Sequence, residues 1–243
     1  MVNRNFEQML RHKWSINHFV CVGLDSDVWA IPTAHIKGSE MMDAGKVQIA
    51  FNCAIVEATK DLVCAYKLNA AFYEAYGGEG IKALQQTIAN IQAIAPDVPV
   101  IFDAKRADIG NTNIGYASMA FDYLEADAIT INPYLGSEAL QPFLKRADKG
   151  IIVLCRTSNP GAGEFQDLLI NGEPLYRVVA KHVAEKWNKN NNCALVVGAT
   201  CPDELFEVRQ LVGDMPILIP GIGAQGGDVE KTVSVGKCSH NQG

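Results

Sequence analysis

Val98-Pro-Val-Ile-Phe-Asp-Ala-Lys105 is a short apolar run that ends abruptly in charge. A run with no polar residue at every second position is what a parallel strand covered on both faces shows. Working outward, the same pattern recurs at 18–25 (HFVCVGLD), 61–69 (DLVCAYKLN), 127–134 (DAITINPY), 150–157 (GIIVLCRT), 193–200 (CALVVGAT) and 216–223 (PILIPGIG). Amphipathic segments lie between these runs, at 46–60, 81–95, 112–125, 174–187 and 204–212. Strict alternation of strand and helix predicts an α/β fold and leaves two architectures, an open doubly wound sheet or a closed (βα)8 TIM barrel of about 250 residues.

The residues that end the runs decide between them. Asp25, Lys67, Asp103 with Lys105, Asn132, Arg156, Thr200 and the glycines after Pro220 stand at the ends of nearly every run. In a barrel all strand C-termini meet around one axis, so these groups would converge, whereas an open sheet uses mainly those beside its switch point. The barrel is therefore preferred, as a single domain over 1–243 with a leading helical segment at 1–18 and βα units one to seven over 19–243. After GGDVEKTVSVG (226–236) only KCSHNQG follows, so the eighth strand is expected to be missing and the chain to be truncated.

The 243 residues are 48% apolar and 20% charged, a globular composition that rules out disorder and fibres. A net charge of −6 gives no global positive field for nucleic acid or an anionic membrane, so an anionic ligand needs a local cradle. The odd cysteine count of 7, with no C-x-x-C, points to reduced thiols and a cytoplasmic protein. The first residues carry charge throughout and no apolar stretch reaches about 18 residues, so neither a signal peptide nor a membrane span is expected. The 5 histidines lack metal-ligand spacing, and no metal is expected.

Three motifs carry chemistry. Asp103-Ala-Lys105-Arg-Ala-Asp108-Ile-Gly-Asn-Thr112 closes the third strand and opens the loop beyond it. Asp103 and Lys105, two apart, are expected on one side of the strand. Lys67, ending the neighbouring strand, is expected beside them, which makes an alternating Lys-Asp-Lys-Asp cluster possible. A solvated group of surface ion pairs is the plain alternative. Gly221-Ile-Gly223-Ala-Gln225-Gly226-Gly227-Asp228 matches G-x-G-x-x-G, but a dinucleotide site belongs in a first βα unit and this loop follows the last strand. What remains is a glycine cradle for phosphate at a helix N-terminus, or glycines needed only for a tight turn. Arg156-Thr-Ser158-Asn-Pro-Gly-Ala-Gly163 fits a lid or binding loop over a heterocycle, or a plain turn.

At these motifs the sequence resembles orotidine 5′-phosphate decarboxylase, in particular its longer bacterial subgroup. The resemblance runs from about Phe19 to Gly236 through VGLDSD (22–27), YKLNAAFYE (66–74), FDAKRADIGNTN (102–113), NPYLG (132–136), RTSNPGAG (156–163), VVGAT (196–200) and PGIGAQGGD (220–228). It implies a cofactor-independent decarboxylation of orotidine 5′-phosphate to UMP, with Lys105 protonating C6 and Lys67, Asp103 and Asp108 completing a charged tetrad. Asp25 and Lys67 would contact ribose hydroxyls and Ser158 the pyrimidine, while Gln225 would bridge phosphate and pyrimidine beside the cradle at Gly221 and Gly223. The resemblance also implies a homodimer in which Asp108 and Thr112 reach the partner's site. The family's main phosphate-gripping Arg follows the eighth strand. Two rivals remain: a metal-dependent decarboxylase of a phosphorylated keto sugar acid, and an inactive nucleotide-binding fragment.

Overall fold

Each predicted run contains a strand: β1 (Val20–Gly23), β2 (Val63–Asn69), β3 (Val100–Arg106), β4 (Ala128–Ile131) and β5 (Gly150–Arg156). A small hairpin of β6 (Leu169–Ile170) and β7 (Glu173–Pro174) intervenes before β8 (Cys193–Val197) and β9 (Ile217–Leu218). The computed structural model describes residues 4–32, 43–223 and 225–242. Seven strands form one sheet in the order β1-β2-β3-β4-β5-β8-β9, and β6 pairs only with β7, antiparallel. The pairs β1-β2, β2-β3, β5-β8 and β8-β9 are all parallel. This is the α/β class with TIM-barrel-type strand order, in which each sheet strand neighbours the next in sequence. Among the described residues no strand follows β9.

Chain contacts group the protein into two units, Met1–Ala104 with Ile114–Ile129, and Lys105–Asn113 with Thr130–Gly243. In the first, the leading helix Phe6–Ser15 is capped by the Asn5 side chain, and the helices Ala44–Thr59 and Gly77–Ile94 connect β1 to β2 and β2 to β3. Tyr66, Leu68, Tyr73, Leu84 and Ile88 are fully buried in its core. Gly80 is required there, because a Cβ would lie 1.8 Å from the Tyr73 carbonyl oxygen. At the N-terminal ends of β3 and β4 the buried Asp127 carboxylate accepts from Arg4 Nε at 2.9 Å and from the Val100 amide at 2.8 Å.

In the second unit, β5, β8 and β9 are near-continuously buried and are followed by the helices Leu175–His182, Pro202–Val212 and Val229–Gly236. Two predicted helices end in π turns, Met119–Tyr123 and Val183–Trp187. The stretch after the Arg156–Gly163 loop holds one helical turn at Gly163–Gln166 and then the hairpin. Asn171 and Gly172 at its tip have φ of 51° and 83°, the mirror-image turn that two-residue hairpins favour. All seven cysteines are free, and among the described residues no helix is long and apolar enough to cross a membrane.

Candidate active site

The groups that end the apolar runs stand at, or just past, the C-terminal ends of β1, β2, β3, β4, β5, β8 and β9. In the first unit the register sets Lys67 opposite Gly23 on β1 and Ile101 on β3, with Asn69 opposite Asp103. Lys67 therefore reaches along the sheet, and its Nζ lies 3.1 Å from Asp25 Oδ1 and 3.3 Å from Asp103 Oδ2. Lys67 and Asp103 are largely buried, while the Asp25 side chain is 39% exposed and open to a ligand. Burial disfavours the Lys67 ammonium, but Asp103 and then Asp25 outweigh it, so its pKa sits above the usual lysine value. Three strands thus deliver a buried cation held between two carboxylates, as the sequence led one to expect for Lys67 and Asp103.

Simple two-residue alternation stops at Lys105. Its φ is +48°, left-handed for a residue with a side chain, and its side chain is exposed where the strand residues before it are buried. Such a backbone costs of order 1–3 kcal/mol and persists only when its surroundings impose it. The Thr130 hydroxyl, buried on β4, accepts the Lys105 amide at 2.9 Å and helps to hold the kink. Downstream, Asn113 is wholly buried. Its Oδ1 accepts the Asp108 amide at 2.8 Å, and its Nδ2 donates to the Asp108 and Ala139 carbonyls at 2.5 and 2.7 Å. Asp108 is thereby fixed half-buried, and Thr112 is exposed in the first turn of Gly110–Ser118.

The loop after β5 is equally built. Arg156 donates through Nη2 to Asp167 at 3.1 Å and through Nη1 to the Thr157 carbonyl at 2.9 Å. Gln166 takes the Thr157 amide at 2.8 Å and donates to its hydroxyl at 2.9 Å. A Cβ on Gly198, at the end of β8, would lie 2.7 Å from Ser158 Cα, so only glycine lets the Ser158 backbone come this close. Beyond β9 the chain turns back on itself, with the Gly227 amide donating to the Gly221 carbonyl at 2.8 Å and the Gly226 amide to the Gly223 carbonyl at 3.0 Å. Gly221 has φ of +107°, and a Cβ there would meet Gln225 Oε1 at 2.8 Å. The Asp228 side chain caps the helix that follows, accepting from the Lys231 amide at 2.9 Å.

Sequence reasoning missed Thr130, Asn113, Gln166 and Asp167, which hold the loops. Asn113 lies inside the quoted FDAKRADIGNTN motif, and Thr130 is a polar residue inside an otherwise apolar run. Among the described residues no three His, Cys, Asp or Glu side chains are grouped so as to hold a metal ion.

Residues 19–235 match the family model for orotidine 5′-phosphate decarboxylase / HUMPS proteins. The chain belongs to that family. It is 54% identical over 216 residues to the orotidine 5′-phosphate decarboxylase of Herpetosiphon aurantiacus, covering 88% of this chain and 78% of that one. It is 48% identical over 240 residues to the orotidine 5′-phosphate decarboxylase of Cellvibrio japonicus, covering 98% of this chain and 86% of that one. Among solved structures, the OMP decarboxylase of Leishmania donovani superposes with a TM-score of 0.84 at 36% identity, over 97% of this chain and 85% of that one. The resemblance read from the three motifs is thus shown across the chain, and its relatives carry the decarboxylase name rather than that of a sugar-acid enzyme.

Proposed function

We propose that this chain catalyses the reaction its relatives are named for, the decarboxylation of orotidine 5′-phosphate to UMP in pyrimidine biosynthesis, without a cofactor and with Lys105 as proton donor to C6. The observation that carries the reading is the Asp25-Lys67-Asp103 cluster at three consecutive strand ends, with Lys105 displayed by a left-handed kink two residues beyond Asp103.

The chemistry needs such groups. Breaking the C6–carboxylate bond leaves an electron pair on C6 in an orbital the pyrimidine ring cannot delocalise. The charge must be stabilised in place and quenched by a proton. The Lys105 ammonium does both: it faces the developing carbanion and transfers a proton to C6, and the resulting amine regains its proton from water. Preorganisation is the main contribution, since the left-handed backbone at 105 fixes the direction in which the lysine leaves the chain. Asp103 and Asp108 complete the tetrad with Lys67, and Asp103 would repel the departing carboxylate.

Asp25 and Lys67 bind the ribose hydroxyls, and Ser158 meets the pyrimidine edge. Gly221 and Gly223 hold the phosphate, and Gln225 bridges phosphate and pyrimidine. The phosphate rests in this glycine cradle at the start of the helix that Asp228 caps. The working form is a cytoplasmic homodimer in which Asp108 and Thr112 serve the partner's site.

Incubating the protein with orotidine 5′-phosphate in the presence of a chelator tests the assignment. UMP and CO2 are expected in equal amounts. No UMP without added Mg2+, or turnover of a phosphorylated keto sugar acid instead, would refute it.

A further inference from the structure

The segment that carries Asp25 leaves β1 at Gly23 and is irregular, with the Leu24 amide donating to the Lys67 carbonyl at 2.8 Å. Behind it stand buried polar side chains that the chemistry above does not use. Tyr73 Oη donates to the Leu24 carbonyl at 3.1 Å, and Asn52 Nδ2 donates to Tyr73 Oη at 2.8 Å. Ser26 Oγ donates to Asn52 Oδ1 at 2.5 Å, and Gln48 Nε2 donates to the Ser26 and Phe72 carbonyls at 3.0 and 2.8 Å. Gln48, Asn52 and Tyr73 are wholly buried.

The chain of bonds has one sense. A carbonyl only accepts, so Tyr73 must spend its proton on Leu24 and accept from the Asn52 amide nitrogen, which turns the Asn52 oxygen toward Ser26. The result is a closed ring through Leu24, Tyr73, Asn52 and Ser26 that returns along the backbone of Asp25. Burial pushes the Tyr73 phenol up; the donated Asn52 bond opposes this, and the nearby Asp25 charge adds to it. A buried polar ring where Leu and Phe would pack is retained at a cost in desolvation, and the segment it grips from both sides is the one bearing the exposed carboxylate.

We propose that Asn52 and Tyr73 are positioning residues: they fix the backbone at residue 25 and so aim its carboxylate at Lys67 and at the sugar hydroxyls of the bound nucleotide. The nucleotide part rests on the decarboxylase reading; the grip on Asp25 does not.

Tyr73→Phe keeps the ring volume and removes both the donor to Leu24 and the acceptor for Asn52. KM for orotidine 5′-phosphate should rise about fivefold or more while kcat changes less than about twofold, and Asn52→Asp, which cannot donate to Tyr73, should do the same. In an Asp25→Asn background, Tyr73→Phe should leave KM where Asp25→Asn alone puts it, because the effect runs through that carboxylate. Amide hydrogen exchange at Leu24–Asp27 should speed about tenfold in Tyr73→Phe whether or not the chain turns over this substrate. Unchanged exchange, a KM within twofold of the parent, or an undiminished effect in the Asp25→Asn background would each overturn the inference. An unsubstituted chain that does not act on orotidine 5′-phosphate, with exchange still accelerated, would overturn the decarboxylase reading alone.

Discussion

Lys67 Nζ lies 3.3 Å from the Asp103 carboxylate although their strands pair two residues out of step, and only 12% and 9% of the two side chains remain exposed. A cation so placed is held by its carboxylates against its own desolvation, and this has a consequence for stability. The folded pKa of Lys67 lies above the ordinary 10.5. Its stabilisation is therefore complete below that value and is lost as pH rises through the higher, folded value. Asp103→Asn removes the largest raising influence and leaves burial, so the loss should begin at lower pH. Thermal melts of both proteins between about pH 8 and 11 measure this; parallel curves would show that Asp103 does not hold the charge.

Arg4 and Asp127 form a buried clamp at the opposite ends of β3 and β4 from Asp103. Arg4→Met strands a carboxylate whose side chain is wholly buried. Breaking such a pair costs about 3–5 kcal/mol, and at about 2 °C or more per kcal/mol Tm should fall by about 6 °C or more. Calorimetry checks the figure, and kcat at 20 °C should change less than about twofold. A large loss of kcat in a folded sample would mean that the clamp shapes the strand C-termini as well.

Gly198→Ala places a methyl group 2.7 Å from Ser158 Cα and Cβ. Overpacking of this kind costs about 1–3 kcal/mol, and the backbone of the Ser158 loop is what must move. Steady-state kinetics should show kcat/KM lowered about tenfold or more with a modest fall in Tm. An unchanged kcat/KM would place Ser158 outside the nucleotide site.

Much of this was legible in the sequence, for physical reasons. Continuous apolar runs are the mark of parallel strands covered on both faces, so every sheet strand was visible, and the change to charged or polar residues at the run ends singled out Lys67 and Asp103, which the structure brings within 3.3 Å of each other. The hairpin left no apolar run because its two strands are only two residues each, although Asn171-Gly172 carries the hairpin turn. The kink at Lys105 was invisible, since nothing in residue type announces a left-handed lysine. The ring around Asp25 did leave a trace: Gln48, Asn52 and Val56 are four apart and share the buried face of Ala44–Thr59, so two polar residues stand where apolar ones belong.

Asp108→Asn and Lys105→Ala chains, each inactive alone, should regain activity when mixed. If Asp108 serves the partner's site, one composite site of a mixed dimer then holds both native residues. Refolding equimolar chains together and following UMP production gives the answer; silence from dimers proven mixed by mass spectrometry would put Asp108 in its own subunit's site.

The measurement nearest the central claim is kcat for orotidine 5′-phosphate with Lys105→Ala, made beside the affinity of the same variant for UMP. If Lys105 acts on the carbanion and not on the bound ground state, UMP affinity should stay within about threefold while kcat falls by more than a thousandfold, about 4 kcal/mol of barrier. A folded Lys105→Ala protein that keeps more than about a tenth of kcat, a change of less than about 1.4 kcal/mol, would contradict the account.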